Sequence, residues 1–301
     1  MKYGVHRTTW GRFFNPSDLK TFFKQAKNTG ADAVEFSPPD EAMSGDWAYA
    51  EKVKQMASDE GLEILFCFGY PTGADMCSAN LFSRQFAAQH LTNAVRAAVK
   101  LGGTEIGGVL YSTWPADYAH DMITPTERYD RQMRSIEMLR TVTPVAEECD
   151  IMLNFEVLNR FDNYIINTVE EGIWFLRQLE SPCCGLLLDV FHMNIEEDDI
   201  PAAIRAAKGH IGKFHATEPN RGIPYHNTRV QWPKIGKALR DADFNGAVIM
   251  ETVLSVDNEV TYNMRGWRNL LKDLSIDCRI EAMRRGITFL REQFDIGIGS
   301  T

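Results

Sequence analysis

Residues 185–199, GLLLDVFHMNIEEDD, decide how the rest of the chain is read. Leu186, Leu187 and Leu188 form an apolar run without polar alternation, the pattern of a parallel strand covered on both faces. The run ends on Asp189, and His192 follows in the loop. A carboxylate at the end of a buried strand is costly without a partner. It is therefore either the cap of the next helix or one member of a polar site. Recurrence favours the site. Upstream, IMLNFEV (151–157) reads as a strand with Glu156 near its end. Downstream, HIGKFHA (210–216) carries His215 and AVIMET (247–252) carries Glu251 at the same place.

Further upstream the alternation continues. Strands are expected at 3–6, ending on His6, at 31–36, with Glu35 near the end, at 62–68 and at 105–111. A loop carrying Trp114 and Asp117 follows the last of these. Helices are expected from about 15 to 30 and at 47–60, 83–101, 125–149, 169–179, 198–208 and 232–242. Pro144 is expected to bend or interrupt the fourth of them. Two more helices are read near 262–274 and 279–294. Strand-then-helix units repeated eight times, without a low-complexity linker, argue for an α/β fold: a single (β/α)8 barrel over residues 1–301. A doubly wound open sheet is the alternative, but no GxGxxG follows the first strand.

The bulk properties exclude several roles. A formal net charge of −9 disfavours nucleic-acid and anionic-membrane partners, which call for clustered cations. No apolar run approaches the roughly 20 residues of a membrane span. The N-terminal segment lacks a signal-peptide hydrophobic region, so a cytoplasmic location is expected. The six cysteines show no zinc-type CxxC pairing and are expected to be free and mostly buried.

Glu156, Asp189, His215 and Glu251 are separated by 33, 26 and 36 residues, close to the roughly 31 per unit of a 250-residue barrel. Four groups near the C-terminal ends of consecutive strands are placed to converge above the barrel. Three carboxylates and an imidazole at one point repel unless a cation sits among them. An oxygen-rich set without thiolate suits Mn2+, Co2+ or Mg2+ better than structural zinc.

The chain resembles the ketose 3-epimerases of the D-tagatose 3-epimerase / D-psicose (allulose) 3-epimerase group, within the xylose-isomerase-like barrels. The resemblance covers nearly the whole chain. It is densest at IGGVLYSTWPADY (106–118), FEVLNRFDNYIINT (155–168), LDVFHMNIEED (188–198), FHATEPNRG (214–222) and GAVIMET (246–252). It implies that Glu156, Asp189, His215 and Glu251 bind one divalent metal, usually Mn2+ or Co2+. It also implies that Glu156 and Glu251 are the acid/base pair and that His192 and Arg221 hold the sugar near O1 and O2. Homodimers or homotetramers are expected. The departures bear on substrate choice. Asp162 stands where Glu is usual at the O1 end, His6 where an aromatic residue is common, and the loop FGYPTGADMCS (68–78) is this chain's own.

Epimerising C3 of a free ketose, D-fructose/D-psicose or D-tagatose/D-sorbose in type, fits these residues. A proton beside the C2 carbonyl is removed and one is returned on the other face. A Lewis-acid cation stabilises the enediolate, and two carboxylates exchange base and acid roles. No nucleotide-cofactor motif is needed or seen. An aldose–ketose isomerase or an inosose dehydratase is the rival reading on the same barrel. An apurinic endonuclease would need a basic face, and a non-catalytic sugar binder is the remaining alternative. Trp114 is expected to wall the sugar, and Trp10 either to do so or to pack in its loop. Glu218 and His226 flank Arg221 as supporting groups or solvated loop. Glu196 and Glu197 are expected to favour the next helix's N-terminus, and Trp267 to be core or interface.

Overall fold

A computed structural model describes residues 1–116, 123–225 and 228–295. Among the described residues, eight parallel strands close into a barrel in chain order, β8 pairing with β1. They are β1 (Lys2–His6), β2 (Ala33–Phe36), β3 (Glu63–Phe68), β4 (Glu105–Gly108), β5 (Met152–Glu156), β6 (Cys184–Asp189), β7 (Ile211–His215) and β8 (Ala247–Met250). Helices between them cover the outer face, and the main apolar core lies between strands and helices. A smaller cluster, Ala33, Leu65, Ala247 and Ile249, fills part of the barrel itself.

Strand residues alternate between these two environments with a period of two. On that alternation Ala33 and Glu35 share the inner face of β2, Asn154 and Glu156 that of β5, and Lys213 and His215 that of β7. Asp189 pairs directly with His215 in the β6–β7 register, so adjacent strands deliver them to one level. Gly107 on β4 makes room for the charged interior. A Cβ there would lie 2.9 Å from Leu187 Cδ1 and 3.0 Å from Lys213 Nζ.

Several expected elements differ. β4 stops at Gly108, whose φ of 123° leaves the extended region. The segment after β6, expected as loop, is a short helix over Val190–Glu196 that carries His192. The helix Pro125–Glu148 runs unbroken through Pro144. The helix expected near 262–274 is only Glu259–Asn263, because Arg265 has a φ of 54° and ends it. Trp267 is consequently 73% exposed rather than core. All six cysteines are free, but only Cys77 is fully buried and the others are intermediate. No described helix is long and apolar enough to cross a membrane.

Candidate active site

Glu156, Asp189 and His215 are the last residues of β5, β6 and β7, and Glu251 directly follows β8. One ligand atom from each lies within 4.8 Å of all the others. The question of helix cap or site member at Asp189 resolves as both. Its Oδ1 accepts from the Phe191 N–H at 2.9 Å, capping the short helix, while Oδ2 is paired with Arg221. The four are buried or nearly so, so their charges are poorly solvated and demand a counter-charge.

Arg221 meets part of that demand. It lies in the loop after β7 with a φ of 61°, a left-handed turn that aims its side chain inward. Nη1 contacts Asp189 Oδ2 and lies 2.7 Å from Glu251 Oε2, and the guanidinium stacks over Phe191 at 4.1 Å. Burial raises the Glu251 carboxyl, but Arg221, then His215 and His6, lower it further, so it sits well below its ordinary range. Burial likewise lowers the His215 imidazole, yet Glu35 and Glu251 raise it more, and it ends well above the usual value. One guanidinium does not balance three carboxylates. His215 Nδ1, 3.4 Å from Glu251 Oε2, is a buried nitrogen without a hydrogen-bond partner. An orphaned imidazole nitrogen beside three carboxylates is a donor set that fits a divalent cation.

A cavity of about 260 Å3 opens beside the cluster, lined by Glu156, Glu251, His192, Arg221, Trp114 and His6 among others. His192 Nδ1 accepts from the Asn159 backbone N–H at 3.1 Å, and Nε2 lies 3.1 Å from Arg221 Nη2 and 3.4 Å from Glu156 Oε1. Asp162 stands one bond further back. Its Oδ2 accepts from Asn159 Nδ2 at 2.7 Å and lies 3.7 Å from His192 Nδ1, and it faces an adjoining cavity instead. His6 Nδ1 is 3.8 Å from Glu251 Oε1.

Below the cluster the barrel holds further charges. Lys213 Nζ is 2.5 Å from Glu35 Oε1, 2.8 Å from Glu105 Oε1 and 3.1 Å from the Phe66 carbonyl. Glu105 Oε2 accepts from Asn154 Nδ2 at 3.0 Å. Burial opposes the charge on Glu35, but Lys213 and then His215 hold the carboxyl far below its usual value. For Glu105 burial outweighs Lys213, and the carboxyl is raised. Burial lowers the Lys213 ammonium, but Glu105 and then Glu35 raise it more, so the lysine serves both carboxylates.

These three residues were not anticipated as part of the site, although a Lys two places before His215 in an apolar strand is a legible signal. Arg7, Ser37, Cys67 and Tyr70 also line the cavity and were not singled out. Of the lesser expectations, Trp10 is fully buried against Phe22 with Nε1 donating to Gln25, so it packs and does not wall the cavity. Glu196 forms a bidentate pair with Arg160, and Glu197 accepts from the Val169 N–H, whereas Asp199 caps the following helix. Glu218 accepts from Trp232 Nε1 and bends its own loop. His226 and Asp117 lie outside the described residues.

Residues 23–273 match the family described as xylose isomerase-like TIM barrel. The chain is 35% identical to the D-psicose 3-epimerase of Ruminiclostridium cellulolyticum, over 90% of each chain. It is 30% identical to the L-ribulose 3-epimerase of Mesorhizobium japonicum, over 90% of this chain and 89% of that one. A crystal structure of D-psicose 3-epimerase with D-tagatose, from Clostridium cellulolyticum H10, superposes with a TM-score of 0.91 at 31% identity. That match covers 98% of this chain and 99% of the other.

Proposed function

The chain belongs to the xylose isomerase-like TIM barrel family and, within it, to the ketose 3-epimerases, and on that premise we propose that it inverts C3 of a free ketose through two glutamates. The substrate is of the D-fructose/D-psicose or D-tagatose/D-sorbose type, and the whole barrel acts as one catalytic unit. The observation that carries the reading is the placement of the two carboxylates. Glu156 ends β5 and Glu251 follows β8, three strands apart around an eight-strand ring, yet both reach one cluster at the cavity. Groups arriving from such separated directions can address opposite faces of a carbon held between them.

Each of Glu156 and Glu251 removes the C3 proton of the epimer whose hydrogen faces it, and returns a proton to that same face when the other epimer is the starting sugar. Arg221 keeps Glu251 ionised, which a base requires. His192 and Arg221 orient the O1–O2 end of the sugar, with Asp162 setting the His192 side through Asn159. Trp114 and His6 wall the cavity. Glu156, Asp189, His215 and Glu251 would hold one divalent cation, Mn2+ or Co2+ with Mg2+ as a third candidate. When bound, that cation supplies Lewis-acid stabilisation of the negative charge that develops on the sugar oxygens. The exposed Trp267 and Phe161, which line the adjoining cavity, support association of copies as a homodimer or homotetramer.

Incubating single ketoses with the protein and Mn2+ tests the reaction. The expected product is the C3 epimer, and accumulation of an aldose instead would replace epimerisation with aldose–ketose isomerisation.

A further inference from the structure

The cavity beside the cluster has two facing walls. His192 and Arg221, on the segments after β6 and β7, make the wall assigned above to the O1–O2 end of the sugar. In a closed ring of eight, β2 and β3 stand opposite β6 and β7. From that facing side Arg7, Ser37 and Cys67 line the cavity: Arg7 directly follows β1, Ser37 directly follows β2, and Cys67 lies in β3. A guanidinium carries five N–H donors and no acceptor. That of Arg221 is spent on Asp189 and Glu251. That of Arg7 is not spent. Among the described residues it makes no ion pair and no hydrogen bond, and its Nε is closed off from solvent without an acceptor. The Phe14 ring, its centroid 5.6 Å from the guanidinium carbon, steadies the group without using a donor. Donors left unpaired on a cavity wall are a cost to the folded chain that an acceptor entering the cavity would relieve.

We infer that Arg7 is a specificity-determining residue that donates to the terminal hydroxyl of a ketohexose, at the end of the sugar opposite the one held by His192 and Arg221. The inference rests on the epimerase reading and its O1–O2 assignment, and adds the group that reads the far end of the chain. A sugar with C1 to C3 fixed at the β6–β7 wall directs its remaining carbons toward the wall that carries Arg7. The other acceptor an unspent guanidinium could take is a phosphate on C6. The surroundings favour the neutral hydroxyl. Arg7, Thr8 and Ser37 also border a second cavity of about 490 Å3, which Asp40 and Glu259 line alongside Arg12. A phosphate reaching past Arg7 would come up against those carboxylates, and like charges brought together are costly. A hydroxyl meets no such opposition. Arg7 therefore favours a ketohexose over its 6-deoxy counterpart, since a site built to hydrogen-bond a substrate hydroxyl discriminates against the analogue that lacks it.

The test measures kcat and KM for C3 epimerisation of D-fructose and 6-deoxy-D-fructose, with Mn2+ present, by wild type and Arg7→Met. The two sugars differ in how much open chain they offer, but that factor is the same for both proteins and cancels when their preferences are compared. The wild-type preference for D-fructose, as a ratio of kcat/KM, should fall about 10- to 100-fold in the variant, the range for a hydrogen bond to a charged group. The loss should lie mainly in KM and fall on D-fructose. A merely structural role would lower kcat on both sugars alike and leave the preference in place, and that result in a folded variant overturns the inference. Should Arg7→Met not fold, Arg7→Gln, polar but too short to span the same distance, takes its place with the same expectation and the same overturning result. D-fructose 6-phosphate is the third substrate. A higher wild-type kcat/KM for it than for D-fructose would make an anion the ligand of Arg7 and overturn the terminal-hydroxyl inference while leaving epimerisation standing. Absence of a C3 epimer from all three sugars would instead overturn the epimerase reading, and this inference with it.

Discussion

Lys213 Nζ and Glu35 Oε1 lie 2.5 Å apart inside the barrel, with neither side chain exposed to solvent. A charge pair this deep is held by mutual need more than by net gain, because both ions have lost their hydration. Lys213→Met should therefore destabilise the protein strongly, leaving Glu35 and Glu105 without their cation. The expected loss is about 3–5 kcal/mol, measured by denaturant unfolding of the metal-free protein. A loss below about 1 kcal/mol, the range of exposed pairs, would show that the carboxylates find other partners.

Chelation should abolish turnover and lower the thermal midpoint, because an ion that binds only the folded state stabilises it by mass action. The effect is about 2.7 kcal/mol at a hundredfold excess over the dissociation constant. His215→Ala should lose most metal affinity, since it removes the one nitrogen of the set. Full activity in exhaustively demetallated protein would remove the metal from the account.

Asp162 reaches His192 through Asn159 and lies at the edge of the adjoining cavity. Asp162→Glu lengthens that arm by one methylene and should shift the ratio of kcat/KM between ketoses. The expected size is ~1–3 kcal/mol at most, read from a panel of ketohexoses and ketopentoses. An unchanged profile would place Asp162 outside substrate selection.

Cys67 offers a chemical probe of the cavity it lines. Burial raises its thiol, but His6 and then Arg7 lower it further, and the net shift is downward. Cys184 moves the other way, burial pushing it up to about 12. Because the thiolate is the nucleophile, iodoacetamide at pH 7.5 should label Cys67 ahead of Cys184, and a bound ketose should protect it. Peptide mapping by mass spectrometry reads both. Labelling of Cys67 indifferent to sugar would detach this cavity from substrate binding.

The barrel and its four converging groups were legible because buried parallel strands read as apolar runs, and a polar residue at the end of each stands out. The charges beneath them were harder to see. Lys213 points into the barrel from mid-strand, Glu35 stands one place before the end of its strand, and only the period of two links Lys213 to His215. That link is visible once the inner face is known. The helix expected over 262–274 was misread for a local reason: the apolar spacing after residue 262 imitates a helix, but the left-handed Arg265 followed by Gly266 ends it. His192 was expected in a loop because a helix of seven residues leaves little periodicity to detect. The Asp189 side chain that caps this helix also lies 3.8 Å from His192 Nε2, so the start of the helix sets His192 beside the cluster.

If Glu156 and Glu251 serve opposite faces of C3, exchange of the C3 hydrogen with solvent separates the two groups. Glu156→Gln and Glu251→Gln each keep an oxygen able to bind metal but lose a group able to exchange protons near neutral pH. Net epimerisation needs both carboxylates, so both variants should be nearly inactive in both directions. Exchange of C3–H in deuterated water needs only the base on the face where that epimer carries its hydrogen. With metal occupancy verified, each variant should exchange C3–H in one epimer and fail with the other, and the two should differ in which epimer survives. Loss of exchange with both epimers in both variants, with metal and sugar still bound, would contradict the two-base account.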